Sequence, residues 1–153
     1  MLLQSGTGFA TIYSNGYQMK KKKILIVEDN PDLGKVLELL LKSPYETISA
    51  KNGEEAVDMA VTEVPDLIIM DLMMPEMNGF EATSLIRRVP KTRSIPILAI
   101  TAGLSNRIEE ECSRIGFDDF MPKPFTYEQL IPRIRKLLKQ YGTYPKRLSE
   151  TSL

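Results

Sequence analysis

Three runs of four consecutive apolar residues, Ile24-Leu25-Ile26-Val27, Leu67-Ile68-Ile69-Met70 and Ile97-Leu98-Ala99-Ile100, punctuate an otherwise mixed sequence. A strand with one wetted face alternates polar and apolar residues, whereas a strand covered on both faces does not. The runs are too short for buried helices and rich in β-branched residues, so they read as interior strands of a parallel sheet. Parallel strands need crossovers, and the stretches between the runs supply them.

Asn30-Pro31-Asp32 offers a helix cap, a proline at the first helical position and an acid in the first turn. Leu33, Val36, Leu37, Leu40 and Leu41 then follow at helical spacing, and Ser43-Pro44 ends the run. Glu46 to Ala50 alternates as a short strand before the turn at Asn52-Gly53, and a helix from Glu54 to about Glu63 buries Ala56, Val57, Ala60 and Val61. Further helices are predicted over Phe80 to Arg88, closed by Pro90, and over Leu104 to Ile115, with Gly116 as C-cap. Asp119 to Met121 is the last strand, and Thr126 caps a terminal amphipathic helix reaching about Tyr141. Pro132 lies inside that helix and removes a backbone donor, at a cost of about 3 kcal/mol in an ideal interior, so a kink or a late helix start is expected there. Alternating strands and helices with right-handed crossovers give an α/β fold: a doubly wound, five-stranded parallel sheet with helices on both faces.

The chain has 153 residues, 42% of them hydrophobic, which suits one compact domain, read here as residues 20–141. Residues 1–19, with their Gly, Ser, Thr and Asn content, are expected to form a flexible extension, and residues 142–153 a flexible tail too short for an output domain. Lys plus Arg and Asp plus Glu balance at 20 each, so any electrostatic function is local, and Lys20 to Lys23 reads as the solvated entrance to a strand. Histidine is absent, which excludes histidine bases, Ser/His/Asp triads and imidazole-bound zinc. Cys112 is the single cysteine and reads as a half-buried helix residue in a reducing compartment. No apolar stretch approaches the roughly 20 residues that cross a bilayer. The amino end lacks the pattern of a signal peptide, so a cytoplasmic protein without membrane association is expected.

The chemistry gathers where the strands end. Glu28-Asp29 follows the first apolar run, Asp71 the second, Thr101 the third, and Lys123 the last strand. Asp29 alone has an ordinary explanation as a helix cap, and Asp71 as a turn residue. In a parallel sheet, however, the carboxyl ends share one edge, so all of these groups converge on one crevice. Glu28, Asp29 and Asp71 suit a small, hard divalent cation. Asp71 suits nucleophilic attack on phosphorus, Lys123 neutralisation of a phosphoryl oxygen, and Thr101 donation of a hydrogen bond to it. The tertiary amide of Lys123-Pro124 has ready access to the cis form, which would turn the lysine back toward the site.

With these elements in view, residues from about 20 to 141 resemble a receiver domain of two-component response regulators. The likeness is carried by Ile24-Leu25-Ile26-Val27-Glu28-Asp29-Asn30, by Asp71-Leu72-Met73-Met74-Pro75-Glu76-Met77-Asn78-Gly79, by Thr101-Ala102 and by Gly116-Phe117-Asp118-Asp119-Phe120-Met121-Pro122-Lys123-Pro124-Phe125. The resemblance implies strand order 2-1-3-4-5. It implies that Asp71 is the phosphoacceptor, that Glu28, Asp29, Asp71 and the Met73 backbone carbonyl hold Mg2+, and that Thr101 and Lys123 meet the phosphoryl group. It also implies a switch in which movement of Thr101 is coupled to rotation of Phe120, on a surface made by the helix after Thr101, the last strand and the terminal helix. Phe120 lacks a hydroxyl, so the switch is expected to be driven by packing. Met73 and Gly103, two residues beyond Asp71 and Thr101, cannot orient an attacking water, and slow to moderate hydrolysis of the phosphoryl group is expected.

The expected role is that of a stand-alone response regulator in a phosphorelay, a signalling receiver rather than an enzyme in its own right. Its implied partners are a sensor histidine kinase or histidine phosphotransfer protein and a downstream protein target. Neither a DNA-binding domain nor membrane contact is expected, and the state is a monomer or a phosphorylation-dependent homodimer. Three other readings compete. A phosphatase of the haloacid dehalogenase type requires a second aspartate where Met73 stands. A flavin-binding flavodoxin-like module requires a Ser/Thr/Gly phosphate loop, where Glu28-Asp29 would repel phosphate. A receiver-like scaffold that is never phosphorylated would not need the full acidic and basic set.

Overall fold

The computed structural model describes residues 2–5, 8–11 and 20–142. Near the amino end, β1 (Leu2–Ser5) and β2 (Gly8–Thr11) pair antiparallel, strands that the sequence reading did not anticipate. The rest of residues 1–19, and residues 143–153, lie outside the described residues, and the expected flexibility of both ends lies there with them.

The main body alternates strand and helix. Its elements are β3 (Lys23–Val27), α1 (Pro31–Leu41), β4 (Glu46–Ala50), α2 (Gly53–Glu63), β5 (Leu67–Asp71), α3 (Gly79–Arg88), β6 (Ile97–Thr101), α4 (Asn106–Ile115), β7 (Asp119–Pro122) and α5 (Tyr127–Gly142). All pairings within this sheet are parallel and the spatial order is β4-β3-β5-β6-β7, which is 2-1-3-4-5 when the sheet's own five strands are counted along the chain. Every residue of β5 and β6 is buried, as their unbroken apolar runs require.

The pleat divides each run between two cores. Leu25, Val27, Ile68, Met70, Ile97 and Ala99 face a layer containing Ala56, Ala60, Ala82, Ile86 and Cys112, from α2, α3 and α4. Ile24, Ile26, Leu67, Ile69, Leu98 and Ile100 face Leu37 and Leu41 of α1 and Leu130, Ile134 and Leu137 of α5. Three layers result.

Helix starts follow local chemistry. The Asn30, Asn52 and Asn78 side chains accept backbone N–H groups at the starts of α1, α2 and α3. Three expectations need correction. The helix predicted from Leu104 begins at Asn106, because the Ser105 hydroxyl accepts the Ile108 N–H and fixes the start there. The helix containing Pro132 does not start late: it begins at Tyr127 and runs uninterrupted to Gly142. Thr126 and Gln129 cap it reciprocally, backbone N–H to side-chain oxygen at 2.9 and 3.2 Å, while Leu130, Ile131, Ile134 and Leu137 anchor it and Pro132 faces solvent. Cys112 is fully rather than half buried, and burial pushes its thiol up to about 11. Gly116 ends α4 at φ 113°, as expected of a glycine C-cap. Among the described residues no helix is long and apolar enough to cross a membrane.

Candidate functional site

The carboxyl edge of the sheet is built by the strands running out in register. Asp71 is the last residue of β5 and pairs with Ile100; Thr101, the last of β6, pairs with Pro122. The Leu72 N–H bonds to the Ile100 carbonyl at 3.1 Å and the Lys123 N–H to the Thr101 carbonyl at 2.8 Å, so the ladder extends past the side chains that matter. On the other side of β5, the Glu28 N–H bonds to the Ala50 carbonyl at 3.1 Å, holding the acidic pair at the end of β3.

One crevice collects these groups. Glu28, Asp29 and Asp71 each present a carboxylate oxygen, all within 4.8 Å of one another. Lys123 Nζ lies 2.6 Å from Glu28 Oε1 and 3.5 Å from Asp71 Oδ2. Glu28 Oε2 accepts the Asn30 N–H at 3.2 Å, and Asp71 Oδ1 accepts the Met73 N–H at 3.1 Å. Asp71 and Thr101 are buried, whereas Asp29 is exposed and forms the mouth. The Thr101 hydroxyl accepts the Gly103 N–H at 3.3 Å. The Lys123–Pro124 peptide bond is cis.

Desolvation of Asp71 is the largest influence on its ionisation, followed by a hydrogen bond to Glu28 and the charge of Glu28, and its pKa rises to about 7 despite Met73 and Lys123. Burial disfavours the Lys123 charge, but Glu28 and Asp71 outweigh it and raise its pKa. Buried carboxylates crowded around one ammonium are the donor set of a hard divalent cation, which takes oxygen ligands and offsets their repulsion.

The loop after β5 is held close by a glycine. A Cβ on Gly79 would stand 2.3 Å from the Asp71 carbonyl oxygen, so only glycine lets α3 start against the phosphoacceptor candidate's own backbone. Phe120 is half-buried against the α2–α4 layer. It pairs with Ala99, and Thr101 is two residues beyond Ala99, so Thr101 and Phe120 occupy the same face of the sheet. Met73 contributes a backbone N–H to Asp71, and its side chain is 66% exposed.

The Glu28–Lys123 ion pair was missed by the sequence reading, which gave the two residues separate tasks. They are 95 positions apart, and no local pattern announces their contact. A second omission is Arg133, whose Nη1 reaches Asp119 Oδ1 at 2.8 Å and the Phe120 carbonyl at 3.2 Å, tying α5 to β7 beside the aromatic.

The model of the response regulator receiver domain matches residues 24–135, a span that contains every one of the strand-end groups. The chain belongs to the receiver domain family. Among its relatives, the polar-differentiation response regulator DivK of Brucella anthropi is 37% identical over 121 residues, covering 78% of this chain and 95% of DivK. An uncharacterised transcriptional regulatory protein of Bacillus subtilis, YrkP, is 39% identical over 126 residues, covering 82% of this chain but 53% of YrkP. The chain thus spans about half the length of several curated relatives it matches. Chemotaxis protein CheY4 of Vibrio cholerae superposes with a TM-score of 0.74 at 30% identity, covering 77% of this chain and 99% of CheY4. The receiver domain of a Pseudomonas aeruginosa sensor histidine kinase, described with a magnesium ion coordinated in its active-site cleft, gives 0.71 at 35% identity, covering 80% of this chain and 99% of that one.

Proposed function

We propose that this receiver takes a phosphoryl group onto Asp71 from a phosphohistidine of a sensor kinase or phosphotransfer protein, in a Mg2+-dependent reaction, and thereby changes a protein-binding face. The observation that carries this reading is the one crevice, with buried Glu28 and Asp71 and exposed Asp29, in which the three carboxylates lie within 4.8 Å with Lys123 beside them. An Asp71 carboxylate oxygen attacks phosphorus, an O–P bond forms, the N–P bond of the donor breaks, and the imidazole leaves with a proton. Glu28, Asp29, Asp71 and the Met73 carbonyl would hold Mg2+, which when bound neutralises charge between the carboxylates and the phosphoryl oxygens.

The chain's own residues do the rest. Lys123 exchanges part of its contact with Glu28 for a phosphoryl oxygen, and the Thr101 hydroxyl turns to donate to another. Movement of Thr101 vacates space on the face it shares with Phe120, so the ring follows by packing, and α4, β7 and α5 form the surface that changes. Position 73 carries a thioether and position 103 no side chain, so neither orients a water toward the phosphoryl group and its hydrolysis is slow to moderate. The downstream partner recognised by this face is a protein.

The test is labelling by phosphoramidate, a small donor that needs no kinase. Mg2+-dependent incorporation of one phosphoryl group, abolished by chelation and by Asp71→Asn, is expected. Unchanged incorporation in Asp71→Asn would overturn the assignment.

A further inference from the structure

Among the described methionines, Met70, Met74 and Met121 are at most 8% exposed and Met59 and Met77 pack against the core, but Met73 is 66% exposed. Its backbone N–H is bonded to Asp71 Oδ1 at 3.1 Å, so this exposed residue is tied by its own main chain to the buried carboxylate. An exposed thioether is readily oxidised by peroxides, and the product differs in the one property that matters at this position. A thioether is a feeble hydrogen-bond acceptor, whereas a sulfoxide oxygen carries strong partial negative charge and accepts readily from water. Gly103, whose N–H is bonded to the Thr101 hydroxyl at 3.3 Å, adds no side chain of its own, and a Cβ there would meet nothing within 4 Å. Beside Thr101 there is thus open space, and in the reduced protein neither position carries a strong hydrogen-bond acceptor to hold a water there.

We propose that Met73 is a peroxide-sensitive modification site whose sulfoxide shortens the lifetime of the phosphoryl group on Asp71. The inference rests on the reading of Asp71 as phosphoacceptor. In the first step the sulfur lone pair attacks a peroxide oxygen and the O–O bond breaks. Methionine is oxidised to the sulfoxide and hydrogen peroxide is reduced to water. In the second, a water accepted by the sulfoxide oxygen attacks phosphorus, the O–P bond to Asp71 breaks, and the released phosphate and solvent take up the proton while the aspartate carboxylate is regenerated. The mark is thereby erased faster under oxidising conditions, without a change at the buried phosphoacceptor itself.

The experiment exposes the full chain to a short pulse of hydrogen peroxide, quenches it, and locates sulfoxides by peptide mass mapping. The protein is then labelled with phosphoramidate and Mg2+, the donor is removed, and decay of the label is followed. Sulfoxide at Met73 is expected to accumulate at least tenfold faster than at Met70, Met74 or Met121, and label on the oxidised protein to decay at least threefold faster. In Met73→Leu the decay is expected to be the same before and after peroxide, and Met73→Gln, whose amide oxygen imitates the sulfoxide acceptor, is expected to decay fast without peroxide. Oxidation spread evenly over the methionines, or equal decay of oxidised and untreated wild-type protein, would overturn the proposal. Failure of the untreated protein to take label would overturn the phosphoacceptor reading and this proposal with it.

Discussion

Asp71 carries an ionisable group where ionisation is costly, and that cost has a measurable signature. In the metal-free protein its pKa rises from 3.8 to about 7, because burial and Glu28 disfavour the charged form more than Met73 and Lys123 favour it. Between these values the folded state holds a proton that the unfolded chain has released. The contribution of Asp71 to stability therefore has its full value below about pH 4, falls as pH rises, and levels off above about pH 7. Asp71→Asn removes this penalty, so metal-free Asp71→Asn is expected to be more stable than wild type at pH 8 by on the order of 2–4 kcal/mol, with the gap closing toward pH 4. Urea unfolding across that range checks it; a constant gap would show that Asp71 does not titrate as described. Gly79→Ala is expected to destabilise by about 1–3 kcal/mol, since its Cβ would stand 2.3 Å from a backbone oxygen that belongs to Asp71. Thermal unfolding without a shift would contradict that contact. At this scale the sequence was partly legible. Asp71 and Thr101 are announced by the apolar runs that end on them. The Glu28–Lys123 pair is not, because it joins two strand ends that are neighbours of β5 and β6 only through the sheet order.

Among the elements, the strands were the most legible because burial on both faces leaves no polar residue to break the run. A helix start was legible where an asparagine cap, a proline and an acid coincided, as at Asn30. It was less so at α4, where Leu104 continued the apolar pattern but the Ser105 cap set the start. Pro132 misled because local propensity was weighed without tertiary packing: its ring faces water while Leu130, Ile134 and Leu137 of the same helix are buried. The proline still forfeits a backbone hydrogen bond. Pro132→Ala is therefore expected to raise stability by about 1–3 kcal/mol, partly offset by the freer unfolded chain, with α5 otherwise unchanged. Chemical denaturation measures this, and a loss of stability would mean that the ring makes contacts that alanine cannot replace. The antiparallel β1–β2 pair lacks an unbroken apolar run, and its Gly, Ser and Thr content reads as a flexible extension rather than as a hairpin turn.

For the whole molecule, topology does the functional work. Order 2-1-3-4-5 places β3 and β6 on either side of β5, and β7 beyond β6, so residues far apart in sequence meet at one edge. Glu28 and Asp29 come from the end of β3, Asp71 from β5, Thr101 from β6 and Lys123 from the end of β7. The fold class could be read from alternating elements alone, whereas the strand order came from the resemblance, because parallel crossovers of similar length permit more than one arrangement. Function depends on that order, since it decides which tips touch. The most direct measurement of the central claim is borohydride trapping after phosphoramidate treatment with Mg2+, in which an aspartyl phosphate is reduced to homoserine and the altered residue is read by peptide sequencing. The account predicts homoserine at position 71 and nowhere else; homoserine at position 29, or none in a protein that has taken up label, would contradict it.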